Sequence, residues 1–141
     1  MTTMHRPILF ALTVVVAATA IVCAPEETKV EAEVTAEETA LDNQTLDQLR
    51  TSGSDLSKPH QIEFYLYHPS KADAEAAAAA LRRLGYTVSV RLGADNVNWL
   101  CLAARTMVPT TQGLTDARRV FKGLAMKYKG DYDGWEAAVE K

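Results

Sequence analysis

Apolar and polar residues alternate along three segments of the chain, which is the pattern of strands that bury one face. In the first segment Ile62, Phe64 and Leu66 fall on one side of the strand, and Tyr65 and Tyr67 fall on the other. The alternation therefore predicts three strands with a buried face. The predicted strands are 61–68, 86–92 and 98–105.

Two other segments have the composition and spacing of helices. One begins after Ser70, a residue that caps helices well, and runs through an alanine-rich stretch to Gly85, which ends it. The other covers 111–129, where apolar residues recur at the spacing of one helix face. Its apolar positions are Leu114, Ala117, Phe121, Leu124, Ala125 and Tyr128.

The order strand, helix, strand, strand, helix favours an α+β fold. We predict a ferredoxin-like two-layer sandwich, in which an antiparallel sheet carries two helices on one face. The last strand of that arrangement is expected to be missing or very short. Residues from Asp131 onward would then supply an edge segment or a packed tail.

The first 23 residues differ from the rest of the chain. An almost unbroken apolar run over 8–23 follows Arg6, and its sixteen residues are fewer than the roughly 20 that span a membrane comfortably. We assign 1–23 to a signal peptide or membrane anchor. Cleavage after Ala20 and lipidation of Cys23 are both open. This N-terminus predicts an exported or membrane-anchored protein of the periplasm or cell envelope.

Residues 24–59 are strongly acidic, with nine Asp and Glu against three Lys and Arg. The part up to Asp42 lacks aromatic residues, so it cannot bury enough area to offset the entropy of ordering. We therefore predict an acidic flexible linker over 24–59 and a folded domain over 60–141. Three leucines indicate a short helix late in this linker, capped by Asp42 or Asn43 and ending at the turn 52–54.

The chain offers few residues for catalysis or metal binding. Its three histidines and two cysteines have no spacing typical of a zinc site or a redox pair, and Cys101 lies among apolar residues of a strand. Part of the calcium-loop pattern fits 131–140, but Lys129 occupies the first ligand position and cannot bind the ion. We expect no catalytic residue, metal or cofactor.

Two sets of residues could instead face a partner. Basic residues of the second helix, Arg118, Arg119 and Lys122, predict a positive patch, although a solvated helix surface explains them equally well. Tyr65 and Tyr67 resemble a stacking platform for RNA, but the third strand lacks the aromatic pattern of such domains. We expect the tyrosines to cover the sheet or to meet a protein, and we expect no direct binding of nucleic acid.

Neither a helix nor a strand pattern explains the C-terminal sequence at 130–136, which is Gly-Asp-Tyr-Asp-Gly-Trp-Glu. Together with Trp-Leu-Cys-Leu-Ala at 99–103, Arg-Thr-Met-Val-Pro-Thr at 105–110 and Gly-Ser-Asp-Leu at 53–56, it resembles the family called regulator of ribonuclease E activity B. The resemblance covers 46–138. It implies a non-catalytic protein that binds the endoribonuclease ribonuclease E and thereby lowers its cleavage of RNA.

The implied role conflicts with the N-terminus, because ribonuclease E works in the cytoplasm. The alternative is an exported or lipid-anchored binding module of the cell envelope with a different partner. In either case the candidate protein-binding residues come from the C-terminal sequence and the basic patch. They are Tyr132, Asp133, Trp135, Glu136, Arg118, Arg119 and Lys122. Tyr132 and Trp135 are expected to pack on the sheet or second helix, with Asp133 and Gly134 forming a turn between them.

Overall fold

The computed structural model describes residues 32–141. The elements in chain order are α1 (Ala36–Thr51), β1 (His60–His68), α2 (Lys71–Arg83), β2 (Thr87–Leu92), β3 (Trp99–Met107), α3 (Thr111–Lys127) and β4 (Asp131–Ala137). The three strands and two helices predicted between 61 and 129 are confirmed, with small shifts at their ends. The signal peptide or anchor predicted for 1–23 lies outside the described residues. Within 32–141 no helix is both long and apolar enough to cross a membrane.

The four strands form one antiparallel sheet in the order β2-β3-β1-β4. β1 lies in the interior of the sheet and pairs with β3 along its whole length, from His60 opposite Met107 to His68 opposite Trp99. β4 has seven residues, six of which pair with the other side of β1. The last strand is therefore neither missing nor very short. The edge segment predicted from Asp131 onward is confirmed, and it is a full edge strand.

A bulge in β4 explains why its alternation could not be recognised. The register with β1 shifts in mid-strand and leaves Asp133 without a partner, while Gly134 adopts a φ of 115°, which favours glycine. Tyr132 and Trp135 are three residues apart and would face opposite sides of a regular strand. The bulge instead places both opposite buried residues of β1. The predicted turn at Asp133 and Gly134 is thus a bulge within a strand.

The helices cover one face of this sheet. Ile62, Phe64 and Leu66 of β1 point toward the helices and are fully buried. The ring of Phe64 stacks on that of Phe121 in α3, with the ring centroids 4.7 Å apart. Tyr86, just before β2, meets both rings edge-on. This aromatic cluster joins the sheet to α3 and forms the centre of the core.

α1 corrects the prediction of a flexible linker over 24–59 for the residues that it occupies, whereas residues 24–31 lie outside the described part of the chain. It is a helix of 16 residues that begins after Thr35, whose side chain and that of Glu38 cap each other's backbone. Asp42, Leu46 and Leu49 point inward and are buried. The short helix predicted here is confirmed and ends at the expected turn, but both predicted caps are wrong, because Asp42 and Asn43 lie inside the helix. The linker prediction failed because composition alone does not show which acidic residue finds a buried partner.

The segment after α1 is joined to the C-terminal tail by a small polar network. The buried Ser54 hydroxyl lies 2.6 Å from Nε2 of His60 and accepts a hydrogen bond from the backbone N–H of Glu140. The backbone N–H of Asp55 donates to the carbonyl of Glu140 over 2.7 Å. The Nδ1 atom of His60 donates to the Lys58 carbonyl. The network therefore holds the turn after α1 beside the C-terminal tail.

We expect α1 to be required for stability. A chain that starts at residue 32 should melt cooperatively. A chain that starts at residue 60 lacks Asp42, which forms a buried ion pair with Arg118 of α3. Removing one partner of a buried ion pair costs about 3–5 kcal/mol, a large part of a typical domain's stability. Circular dichroism melts of the two chains would measure the difference. Equal melting temperatures would show that α1 is dispensable.

Candidate protein-binding site

The seven predicted interface residues divide into an engaged group and an exposed group. The engaged group has four side chains that form hydrogen bonds or ring contacts with other residues of the chain on the helix side of the sheet. They are Tyr132, Trp135, Arg118 and Lys122. Arg119 forms an ion pair with Asp116 of its own helix. Asp133 and Glu136 are exposed on β4. The fold therefore gives these seven residues different surroundings, although four of them are close in sequence.

Asp42 is the centre of the engaged group. Its side chain is only 2% exposed. Nε of Arg118 donates to Oδ2 over 2.8 Å, and Nη2 of Arg118 donates to Oδ1 over 2.7 Å. Nε1 of Trp135 also donates to Oδ1, over 2.9 Å. We refer to Asp42, Arg118 and Trp135 as the Asp42 junction, because they join α1, α3 and β4.

The two parallel hydrogen bonds make this a bidentate ion pair, the strong form of arginine–carboxylate contact. These hydrogen bonds raise the pKa of Arg118 above its usual value. The Arg118 guanidinium also lies 5.2 Å from the ring centroid of Tyr132. Arg118 is therefore a structural cation, and sequence analysis missed its partner because Asp42 stood in the predicted linker.

Lys122 is paired in the same way, nearer the start of α1. Its Nζ donates to Oε2 of Glu38 over 2.8 Å and to the backbone carbonyl of Glu33 over 2.7 Å. The hydrogen bond from Lys122 lowers the pKa of Glu38. The backbone N–H of Ala32 donates to the carbonyl of Arg119. The predicted basic patch is thus largely covered by α1 and the residues before it.

Tyr132 contributes packing to the core. Its ring stacks on Phe121, with the centroids 5.4 Å apart, and burial raises the pKa of its hydroxyl. The prediction that Tyr132 packs on the second predicted helix, which is α3, is confirmed.

Three residues of the calcium-loop pattern, Asp131, Asp133 and Gly134, lie in strand β4. Their extended backbone differs from the tight loop that such a site needs.

Other reactive side chains are also used internally. Cys101 is fully buried, and burial raises the pKa of its thiol to about 11, as expected for a packed cysteine. His68 is buried and its Nδ1 donates to the carbonyl of Tyr128 over 2.8 Å. A Cβ on Gly130 would lie 2.5 Å from the His68 ring, so the first glycine of the C-terminal sequence is needed for close packing.

The opposite face of the sheet, which we call the outer sheet face, is not covered by any described helix. The pairing register puts on it one continuous set of side chains from the four strands. These residues are Gln61, Glu63, Tyr65, Tyr67, Thr87, Ser89, Arg91, Leu100, Leu102, Ala104, Thr106, Asp131 and Glu136. The prediction that Tyr65 and Tyr67 point outward is confirmed, and both are half-buried.

Two carboxylates lie side by side on this face. Glu63 stands directly opposite Glu136 across the β1–β4 pair. The Tyr65 hydroxyl donates to Oε1 of Glu136 over 2.6 Å and lies 3.5 Å from Oε2 of Glu63. The hydrogen bond to Glu136 raises the pKa of Tyr65. Sequence analysis named Glu136 but missed Glu63, because only the strand register reveals the pair.

Comparison with known families identifies the chain. It folds as an α+β domain whose four-stranded antiparallel sheet has helices on one face. Residues 39–137 match the sequence model of the family described as regulator of ribonuclease activity B. This match covers most of the chain, so the chain belongs to that family. It runs from the first turn of α1 to the last residue of β4. No curated protein matches the chain.

A double-mutant cycle should reveal the strength of the Asp42 junction. We expect Asp42→Ala and Arg118→Ala each to cost about 3–5 kcal/mol, because either leaves a buried charge without a partner. The double variant should cost less than the sum, with a coupling of about 1–3 kcal/mol. Urea unfolding of the four chains measures these energies.

The matched control is the exposed pair Asp47 and Arg50, which lies in the same helix. Asp47→Ala and Arg50→Ala should hardly move the urea midpoint, because exposed pairs contribute little. A coupling energy at Asp42 and Arg118 no larger than in this control would contradict a structural role for the junction.

Proposed function

We propose that this protein is a non-catalytic regulator that binds ribonuclease E and lowers its cleavage of RNA through protein–protein contact. The observation that carries the proposal is the extent of the family match. Residues 39–137 include every strand of the sheet and nearly all of α1. Members of this family regulate ribonuclease activity, and the matched segment of this chain contains the whole sheet together with α2 and α3.

Contact is the mode of action that the side chains favour. His60 and His68 are fully buried and hydrogen-bonded to backbone carbonyls. Cys101 is packed in the core with a raised pKa. Groups in these positions hold the fold together and are poorly placed to reach a substrate. The exposed surfaces of the sheet are better suited to meeting another protein.

The seven candidate residues would contribute to the proposed interface in two different ways. Asp133 and Glu136 are exposed on β4 and are available to a partner. Arg118, Lys122, Tyr132 and Trp135 would act mainly by holding α1, α3 and β4 in place. The proposed interface therefore lies along β4 and the neighbouring outer sheet face.

The finer description of the fold is also a proposal. We propose a ferredoxin-like arrangement for the part of the chain from β1 to β4. The strand order β2-β3-β1-β4 supports it, as do α2 between β1 and β2 and α3 between β3 and β4. α1 would then be an addition in front of that arrangement.

The competing proposal is an exported or lipid-anchored binding module of the cell envelope. The apolar run over 8–23 and Cys23 support it, because they have the layout of an export signal. A regulator of ribonuclease E must instead reach the cytoplasm. The location of the native protein therefore separates the two proposals.

Inhibition of purified ribonuclease E tests the proposed function. Full-length protein at micromolar concentration should slow the cleavage of a structured RNA and should bind the enzyme in the absence of RNA. Excess RNA should not relieve the inhibition, because the protein contacts the enzyme. An unchanged cleavage rate, with no binding to the enzyme, would rule the function out.

Cell fractionation shows where the native protein is located and so tests the regulator proposal against the envelope proposal. The regulator proposal expects the native protein in the cytoplasmic fraction with the mass of an uncleaved N-terminus. The envelope proposal expects it in the membrane or periplasmic fraction, with a mass that reports cleavage or lipidation near Cys23.

A further inference from the structure

We infer that the outer sheet face is the docking site for a basic segment of a protein partner, whose Arg or Lys side chains bind between Glu63 and Glu136. The inference rests on the proposed function for the existence of a protein partner. It goes further by naming the surface and the chemistry of the segment that binds there. The first support is the arrangement of these two carboxylates.

Like charges directly opposite each other in a sheet destabilise it. Glu63 and Glu136 form such a pair across β1 and β4. The Tyr65 hydroxyl has one proton, and it donates that proton to Glu136 over 2.6 Å. One tyrosine proton cannot neutralise two carboxylates. A guanidinium or ammonium group placed between them would remove the repulsion and form two charge-assisted hydrogen bonds.

The cleft beside Glu63 and Glu136 is also acidic. It has a volume of about 560 Å³ and is lined by Gln61, Glu63, Glu136, Ala137, Ala138 and Glu140. Three of the six residues are glutamates, and none of the six is basic. A cleft with this lining complements positively charged side chains.

The neighbouring surface suits the rest of a basic segment. Tyr65 and Tyr67 project from β1, and Leu102 and Ala104 project beside them from β3. All four are half-buried. Tyrosine rings that remain partly accessible stack well on arginine, because the guanidinium is planar and weakly hydrated. Apolar contact over this stripe would therefore accompany the ion pairs at its acidic end.

The charge of the face argues against RNA as the occupant. Glu63, Asp131 and Glu136 lie on it, whereas Arg91 is the one basic residue that the described strands place there. Phosphate groups would be repelled by this balance. On the helix side, Arg118 and Lys122 are already paired with acidic side chains of α1. Among the described residues, the acidic outer face is thus the better electrostatic partner for a basic protein segment.

The decisive variant is the double substitution Glu63→Gln and Glu136→Gln in the full-length chain. Glutamine keeps the shape of the side chain and an oxygen that accepts from Tyr65. We expect this variant to bind ribonuclease E about tenfold more weakly than the wild type. Its melting temperature should be equal or higher, because the like-charge repulsion is removed. A merely structural role would lower both.

The matched control is Glu37→Gln with Glu75→Gln, which changes the net charge equally at two exposed positions of α1 and α2. It should bind ribonuclease E as the wild type does. Equal binding by the wild type, the control and the Glu63→Gln, Glu136→Gln chain would overturn the inference while leaving the proposed function standing.

A second experiment tests the docking site even if the wild type does not bind ribonuclease E and the proposed function fails. A peptide of alternating arginine and alanine is titrated into the isotope-labelled full-length chain. Chemical-shift changes at Tyr65, Leu102 and Glu136 that vanish in the double glutamine variant would support the docking site. No changes there, or the same changes with single-stranded RNA, would overturn it.

Discussion

The buried carboxylate of Asp42 is the interaction on which the arrangement of this domain depends. An ionised group that is 2% exposed is stable only when its charge is balanced and its oxygens are hydrogen-bonded. Arg118 supplies the charge and two hydrogen bonds, and Trp135 supplies a third. Because these residues come from α1, α3 and β4, satisfying one carboxylate fixes three elements relative to each other.

The two faces of the sheet differ in how their charged side chains are paired. On the helix face the basic residues of α3 are paired with acidic residues of α1, so their charge is used to hold the domain together. On the outer face Glu63 and Glu136 stand opposite each other without a basic partner among the described residues. The bulge at Asp133 supports both roles, because it turns Tyr132 and Trp135 toward the helices and leaves Glu136 on the outside.

The parts of the fold that follow from local pattern could be predicted from the sequence. Alternation identified β1, β2 and β3. The Ser70 cap and the alanine-rich stretch identified α2, and helical spacing identified α3. β4 was expected only as an edge segment or a packed tail because a bulge breaks its alternation. Most of α1 was taken for a linker because its key contact is an ion pair with a residue 76 positions away. For the proposed site, the C-terminal sequence drew attention to β4, which carries Asp133 and Glu136. The pairing of Glu63 with Glu136 depends on register, which local pattern does not encode.

Native-state amide hydrogen exchange of the full-length chain tests most directly whether α1 belongs to the cooperative fold. Amides near Leu46 in α1 and near Phe64 in β1 should open with the same free energy, because the Asp42 junction joins both elements into one unit. Exchange of the α1 amides at the rate of an unstructured segment, with β1 still protected, would contradict this account.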